Sequence, residues 1–170
     1  MLSFLLACVV SADPMVYRNS SAGEGTYTFK TVVPLGNDVS AISTVLFDVK
    51  DNRAKFARTW FDTNAASTEV LLNGKPWTFD SQDSEKTLQA ICNAKSFSAR
   101  ILNEKGKVID QVDATPDATL SYQVILKLRQ SATKCKKLGR MFDDLPDPSA
   151  GIPLPDVAKA VGVRVPKNRP

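Results

Sequence analysis

Apolar residues alternate with polar ones along much of the first 80 positions. Thr26 to Val33 places Tyr27, Phe29 and Val33 among polar neighbours, the period-2 pattern of a half-buried strand. Ser40 to Val49 is rich in β-branched and aromatic residues, with Val45, Phe47 and Val49 on one face. After the turn chemistry of Lys50-Asp51-Asn52, residues Arg53 to Phe61 alternate again. Ala54, Phe56, Arg58 and Trp60 face one way, and Lys55, Ala57, Thr59 and Phe61 the other. These two segments predict an antiparallel hairpin, preceded by a turn at Pro34 to Asp38 and a polar, exposed leader at Arg18 to Gly25.

Ser67 to Leu72 and Lys75 to Asp80 flank Asn73-Gly74, a dipeptide that accepts the positive φ angles of a two-residue hairpin turn. Pro76 has no N–H to donate, so the second of these strands belongs at a sheet edge. From Asp80 to Ala94 the period changes. Asp83 or Ser84 caps a short helix, with Leu88, Ile91 and Cys92 as its apolar stripe. Ser96 to Leu102 and Lys107 to Val112 predict another hairpin. Thr119 to Arg129 alternates so regularly (Leu120, Tyr122, Val124, Leu126, Leu128) that it predicts a strand, and Ser131 to Gly139 a short basic helix or turn. Proline-rich chain follows at Leu145 to Pro148 and Ile152 to Asp156, where Pro155 can open a short helix to Val161.

The sum is an α+β fold, mostly antiparallel: about seven strands in a curved sheet or half-barrel, with one or two short helices. Three segments are expected. Residues 1–12 form a signal peptide, 13–142 a single β-rich domain, and 143–170 a Pro-rich extended C-terminal arm.

Leu2 to Val10 is an apolar run closed by Ser11-Ala12, small residues that suit signal-peptide cleavage before Asp13. It lacks a basic start. It is also too short to cross a bilayer, so no stable membrane span is expected. Leu5-Leu6-Ala7-Cys8 resembles a bacterial lipobox, a variant of the same export reading. Secretion leaves Cys92 and Cys135, and an exported pair of cysteines usually joins. The expected disulfide closes a 43-residue loop, worth about 4 kcal/mol in the chain-entropy model. Two buried thiols in a reduced protein are the alternative. Asn19-Ser20-Ser21 is a glycosylation sequon, so Asn19 is a candidate glycan site.

Charge narrows the functional classes. The chain carries 22 basic and 18 acidic residues, but up to Thr133 the two balance at 14 each. The excess lies from Lys134 onward, and a neutral body argues against a contiguous basic face for nucleic acid. The chain has no histidine, which removes His-assisted triads and His metal sites. No catalytic motif stands out, and neither a metal site nor a cofactor is expected. Asp80-Ser-Gln-Asp-Ser-Glu lacks the glycine and frame of a calcium loop. A glycosidase-like carboxylate pair is not selected from the 18 acids by anything in the pattern.

The aromatic residues on predicted strands carry the functional expectation. Trp60, Trp77 and Phe79 are the candidate liners of a concave sheet face that holds an apolar small molecule. The competing expectation is a structural or interaction protein, an effector or coat component, that docks a protein partner through its C-terminal arm.

Phe47-Asp48-Val49-Lys50-Asp51-Asn52-Arg53, then Asn73-Gly74-Lys75-Pro76-Trp77-Thr78-Phe79-Asp80, then Cys92, together resemble ependymin-related secreted proteins. The resemblance covers roughly Ser40 to Cys92. It implies a curved antiparallel half-barrel similar to bacterial lipoprotein carriers, with helices over a hollow suited to apolar ligands. This chain has fewer cysteines than that family, and its Pro-rich tail has no counterpart there.

Overall fold

Turn chemistry and strand alternation organise the first half of the chain. The computed structural model describes residues 13–20, 25–78 and 84–167. β2 (Thr26–Gly36) and β3 (Val39–Asp48) pair antiparallel through Asn37-Asp38, both at positive φ, 52° and 58°. Short Asx side chains tolerate that conformation. β4 (Arg53–Asp62) pairs with β3 as the alternation predicts. Asp48 holds the turn between them: its carboxylate accepts from the Lys50 and Asp51 amides at 2.8 and 3.1 Å. Lys55 bridges Asp48 and Asp51 at 2.6 and 2.7 Å. Lys55 is also the extra residue of a bulge, which sets Ala54 and Ala57 on the same buried face and leaves Phe56 on the other.

β1 (Met15–Ser20) pairs antiparallel with β2, so the leader expected from Arg18 onward begins as strand. Arg18 faces inward there, opposite Phe29. The first sheet runs β4-β3-β2-β1-β9, where β9 is Ile152–Pro153. The second sheet runs β6-β5-β7-β8, made of β5 (Ser67–Leu72), β6 (Lys75–Trp77), β7 (Phe97–Leu102) and β8 (Val108–Asp113). Asn73 and Gly74 make the expected turn at φ 52° and 76°, and Pro76 sits on the edge strand β6. Both sheets are antiparallel and neither closes into a barrel.

Four helices are described where one or two were expected: α1 (Ser84–Asn93), α2 (Pro116–Gln130), α3 (Ala132–Asp143) and α4 (Leu154–Val161). The largest correction is α2, which occupies the segment predicted as the clearest strand. Its ends decide the matter. Thr115 accepts from the Ala118 amide at 3.2 Å as N-cap, Pro116 opens the first turn, Asp117 follows, and Lys127 and Arg129 lie in the last turn. Each suits a helix terminus. The alternation misleads because α2 is buried on most of its circumference. Ala118, Ser121, Ile125 and Leu128 recur at helical spacing, and Leu120, Tyr122 and Val124 fill the remaining buried positions.

α2 lies across the inner face of β2, β3 and β4 and packs on the other three helices. The two sheets meet through aromatic rings. Phe61 of β4 stacks on Phe97 of β7 with centroids 5.6 Å apart, and Phe97 meets the edge of Tyr122 at 5.4 Å. α3 is fastened to β1 by Arg18, which donates to the Gly139 carbonyl (2.9 Å) and the Asp143 carboxylate (2.7 Å). The same guanidinium lies over the Tyr27 and Phe142 rings.

The expected extended arm is corrected as well. Residues 152–161 leave the proline-rich turn and enter the core. β9 adds to the edge of β1, the Leu154 amide donates to the Pro14 carbonyl at 3.0 Å, and Leu154, Val157, Ala158 and Val161 are fully buried. Helix formation from Pro155 was expected; its burial was not. The prolines carry no donor, so they read as exposed chain, while a four-residue apolar stripe is too short to announce a core contact. The close approach of Gly151 to β1 explains why glycine precedes β9: a Cβ there would lie 2.7 Å from the Tyr17 ring.

Candidate functional site: a cleft between the two sheets

β4 and β6 are the outer strands of their sheets, and they border one cleft of about 810 Å³. Six consecutive residues of β4, Phe56 to Phe61, line it, so both faces and the free edge of this strand contribute. Thr68 to Val70 of β5 and Pro76 to Thr78 form the opposite wall, and Thr87 of α1 joins them. Trp60 comes from the first sheet and Trp77 from the second. Trp60 is half-buried, while Trp77 and Phe56 are 37% and 42% exposed. A site this size, with aromatic side chains on both walls and polar ones between them, has the character of a small-molecule site.

The polar side chains in the cleft differ in how fully they are engaged. Thr59 donates to the Ile42 carbonyl at 3.2 Å and accepts from Ser43 at 3.1 Å. Glu69 is held by Arg100 at 3.3 Å. Arg58 lies over the Trp60 ring, with its Cζ 5.4 Å from the centroid. Behind Thr59 is the buried phenol of Tyr122. Its hydroxyl stands near that of Thr59 without reaching a well-formed hydrogen bond, and burial holds its pKa well above the ordinary tyrosine value.

The structure thus brings together two of the three predicted liners. Phe79 lies outside the described residues, as do Asp80, Asp83 and Cys8. Phe56, Arg58 and Val70 line the cleft without being among the three predicted liners. The signal for the first two was present, since Phe56, Arg58 and Trp60 share one face of their strand; Val70 becomes a liner only through the meeting of the sheets. Glu69 is the only carboxylate among the described liners, so the cleft assembles no acid pair of the kind glycoside hydrolysis uses.

A second hollow of similar volume lies at the far end of β4, lined by Arg53, Lys55, Glu85 and Arg129. Its charges are largely engaged within the protein. Lys55 pairs with Asp48 and Asp51, Glu85 accepts from Gln130 at 2.9 Å, and Arg129 donates to the Ala54 carbonyl at 3.0 Å, leaving only its Nε without a partner. It has no aromatic wall, and the cleft between the sheets is the stronger candidate.

No family model, curated protein or solved structure matches the chain. The likeness of residues 40–92 to ependymin-related proteins therefore rests on those residues alone.

The expected Cys92–Cys135 disulfide is absent, and both are free thiols. The Cys135 thiol, buried on α3, donates to the Leu128 carbonyl at 3.1 Å, and Cys92 lies partly buried near the end of α1. Burial pushes the Cys92 thiol up to about 11 and the Cys135 thiol up to about 12. Native protein at pH 8 should therefore react with a thiol reagent at least about 100-fold more slowly at these positions than an ordinary cysteine, and both should react freely in denaturant. Rapid modification of either residue in the folded state contradicts this placement. Asn19, the candidate glycan site, is exposed on β1.

Proposed function

We propose that this chain is a non-catalytic binding protein that holds a small apolar molecule in the cleft between its sheets. One observation carries this: the only two tryptophans of the chain, from different sheets, line the same hollow. An aromatic residue left half-exposed on each wall forgoes burial in the core, and a bound apolar ligand supplies that burial. The ependymin resemblance implies the same class of ligand.

Because no other tryptophan is present, intrinsic fluorescence reports on this cleft alone. A neutral solvatochromic dye should bind saturably, one per chain, with a change in tryptophan emission. Trp77→Ala should weaken it by about tenfold, the loss of one aromatic wall. Ile109→Ser, at a 59% exposed apolar position on β8, should leave binding unchanged. A dye that ignores the folded protein, or that responds equally to both variants, defeats the proposal.

We further propose export, with cleavage before Asp13. With the cysteines unpaired, this rests on the apolar leader and on Asn19. The mass of the native protein tests it, through loss of residues 1–12 and a glycan at Asn19. A native chain that retains Met1 and is unmodified overturns it. Partner docking through an extended arm finds no support in the fold, because residues 152–161 turn their apolar side chains inward.

A further inference from the structure

Arg58 is the single cation among the described residues lining the cleft. The neighbouring cations are held by carboxylates: Lys55 by Asp48 and Asp51, Arg100 by Glu69. Among the described residues no carboxylate reaches Arg58 within ion-pair distance, and its recorded contact is the face of Trp60. The ring accepts only the weak cation–π contact, so the N–H fork of the guanidinium remains open to a planar anion.

We propose that the ligand is an apolar molecule bearing a carboxylate, its acid group paired with Arg58 and its apolar body between Trp60 and Trp77. This rests on the cleft being a binding site and names the class of molecule it takes. A carboxylate suits the charge balance better than a phosphate. One exposed arginine can answer one negative charge, and the carboxylate of Glu69 on the opposite wall works against a dianion. Arg58 is exposed, so its contribution is that of a screened pair.

The test uses the full chain and four ligands with the same alkyl tail: dodecanoate, dodecanol, dodecyl phosphate and dodecylammonium. Each is titrated below its micelle concentration, and binding is read by tryptophan emission and by displacement of the neutral dye. Dodecanoate should bind about fivefold tighter than dodecanol, equivalent to about 1 kcal/mol, and dodecylammonium weakest. Arg58→Met keeps an apolar stem on Trp60. It should erase the preference while leaving dodecanol affinity and the thermal midpoint unchanged. Equal binding of acid and alcohol by the unmodified protein, or a preference that survives Arg58→Met, overturns the role of Arg58 but leaves the cleft standing. Dodecyl phosphate binding tighter than dodecanoate overturns the carboxylate class. If none of the four binds, the binding function itself fails.

Discussion

A chain ending at Ala150 should show no cooperative thermal transition. The missing piece contains Ile152, Leu154, Val157, Ala158 and Val161, all buried, the last four completely. Burying one Val, Leu or Ile side chain is worth about 1.5–3 kcal/mol. Four such residues therefore contribute about 8 kcal/mol, comparable to the whole stability of an ordinary domain at about 5–15 kcal/mol. Truncation also uncovers the α2 surface that α4 covers and strips β9 from the edge of β1. Differential scanning calorimetry checks this directly. Leu154→Ala supplies a graded version, with an expected loss of about 3 kcal/mol in denaturant melts. A truncated chain that melts at the full-length midpoint would show that these residues are dispensable to the core.

Arg18→Ala should cost about 3 kcal/mol, far more than Asp143→Asn, expected below about 1 kcal/mol. The asymmetry follows from where each partner sits. The Arg18 side chain is 11% exposed and Asp143 is 61% exposed, so water screens the ion pair from one end only. What Arg18 supplies beyond that pair is a donor to the Gly139 carbonyl and cation–π contact with Tyr27 and Phe142, at 5.1 and 5.4 Å from the ring centroids. All of these are lost with the side chain. Arg18→Met should fall between the two variants, because it keeps a flexible apolar stem beneath the rings. Urea midpoints measure all three. Equal, small losses for Arg18→Ala and Asp143→Asn would mean that the surface ion pair is the whole interaction.

The hairpins were legible because their chemistry is local. Asn73-Gly74, the Lys50-Asp51-Asn52 turn and Pro76 at an edge each constrain two or three residues, and the structure places them as expected. The α2 segment was misjudged because its buried residues cover most of the helix surface, so the apolar pattern holds two periods at once. The deciding signals lie at its ends: Thr115-Pro116-Asp117 precedes the alternating stretch, and Lys127 and Arg129 close it. The C-terminal residues read as exposed because α4 is buried by α2 and α3 while β9 pairs with β1, some 140 positions away, and no local pattern reports contacts of that range.

The candidate site was half legible. Trp60 and Trp77 stood out as large aromatics on predicted strands, but nothing in their spacing says that their strands border each other as sheet edges. The role of Arg58 depends on which of the described carboxylates fail to pair with it, and no spacing in the sequence reports that.

The stitch between Pro14 and Leu154 also bears on biosynthesis. The hairpins can form as they leave the ribosome, since each closes over a few residues. The first sheet cannot take on its last strand, nor α2 its last neighbour, while residues 152–161 are still inside the exit tunnel. The nascent chain therefore carries an exposed apolar surface on α2 until residues 152–161 have emerged, which is the interval in which a chaperone would meet it.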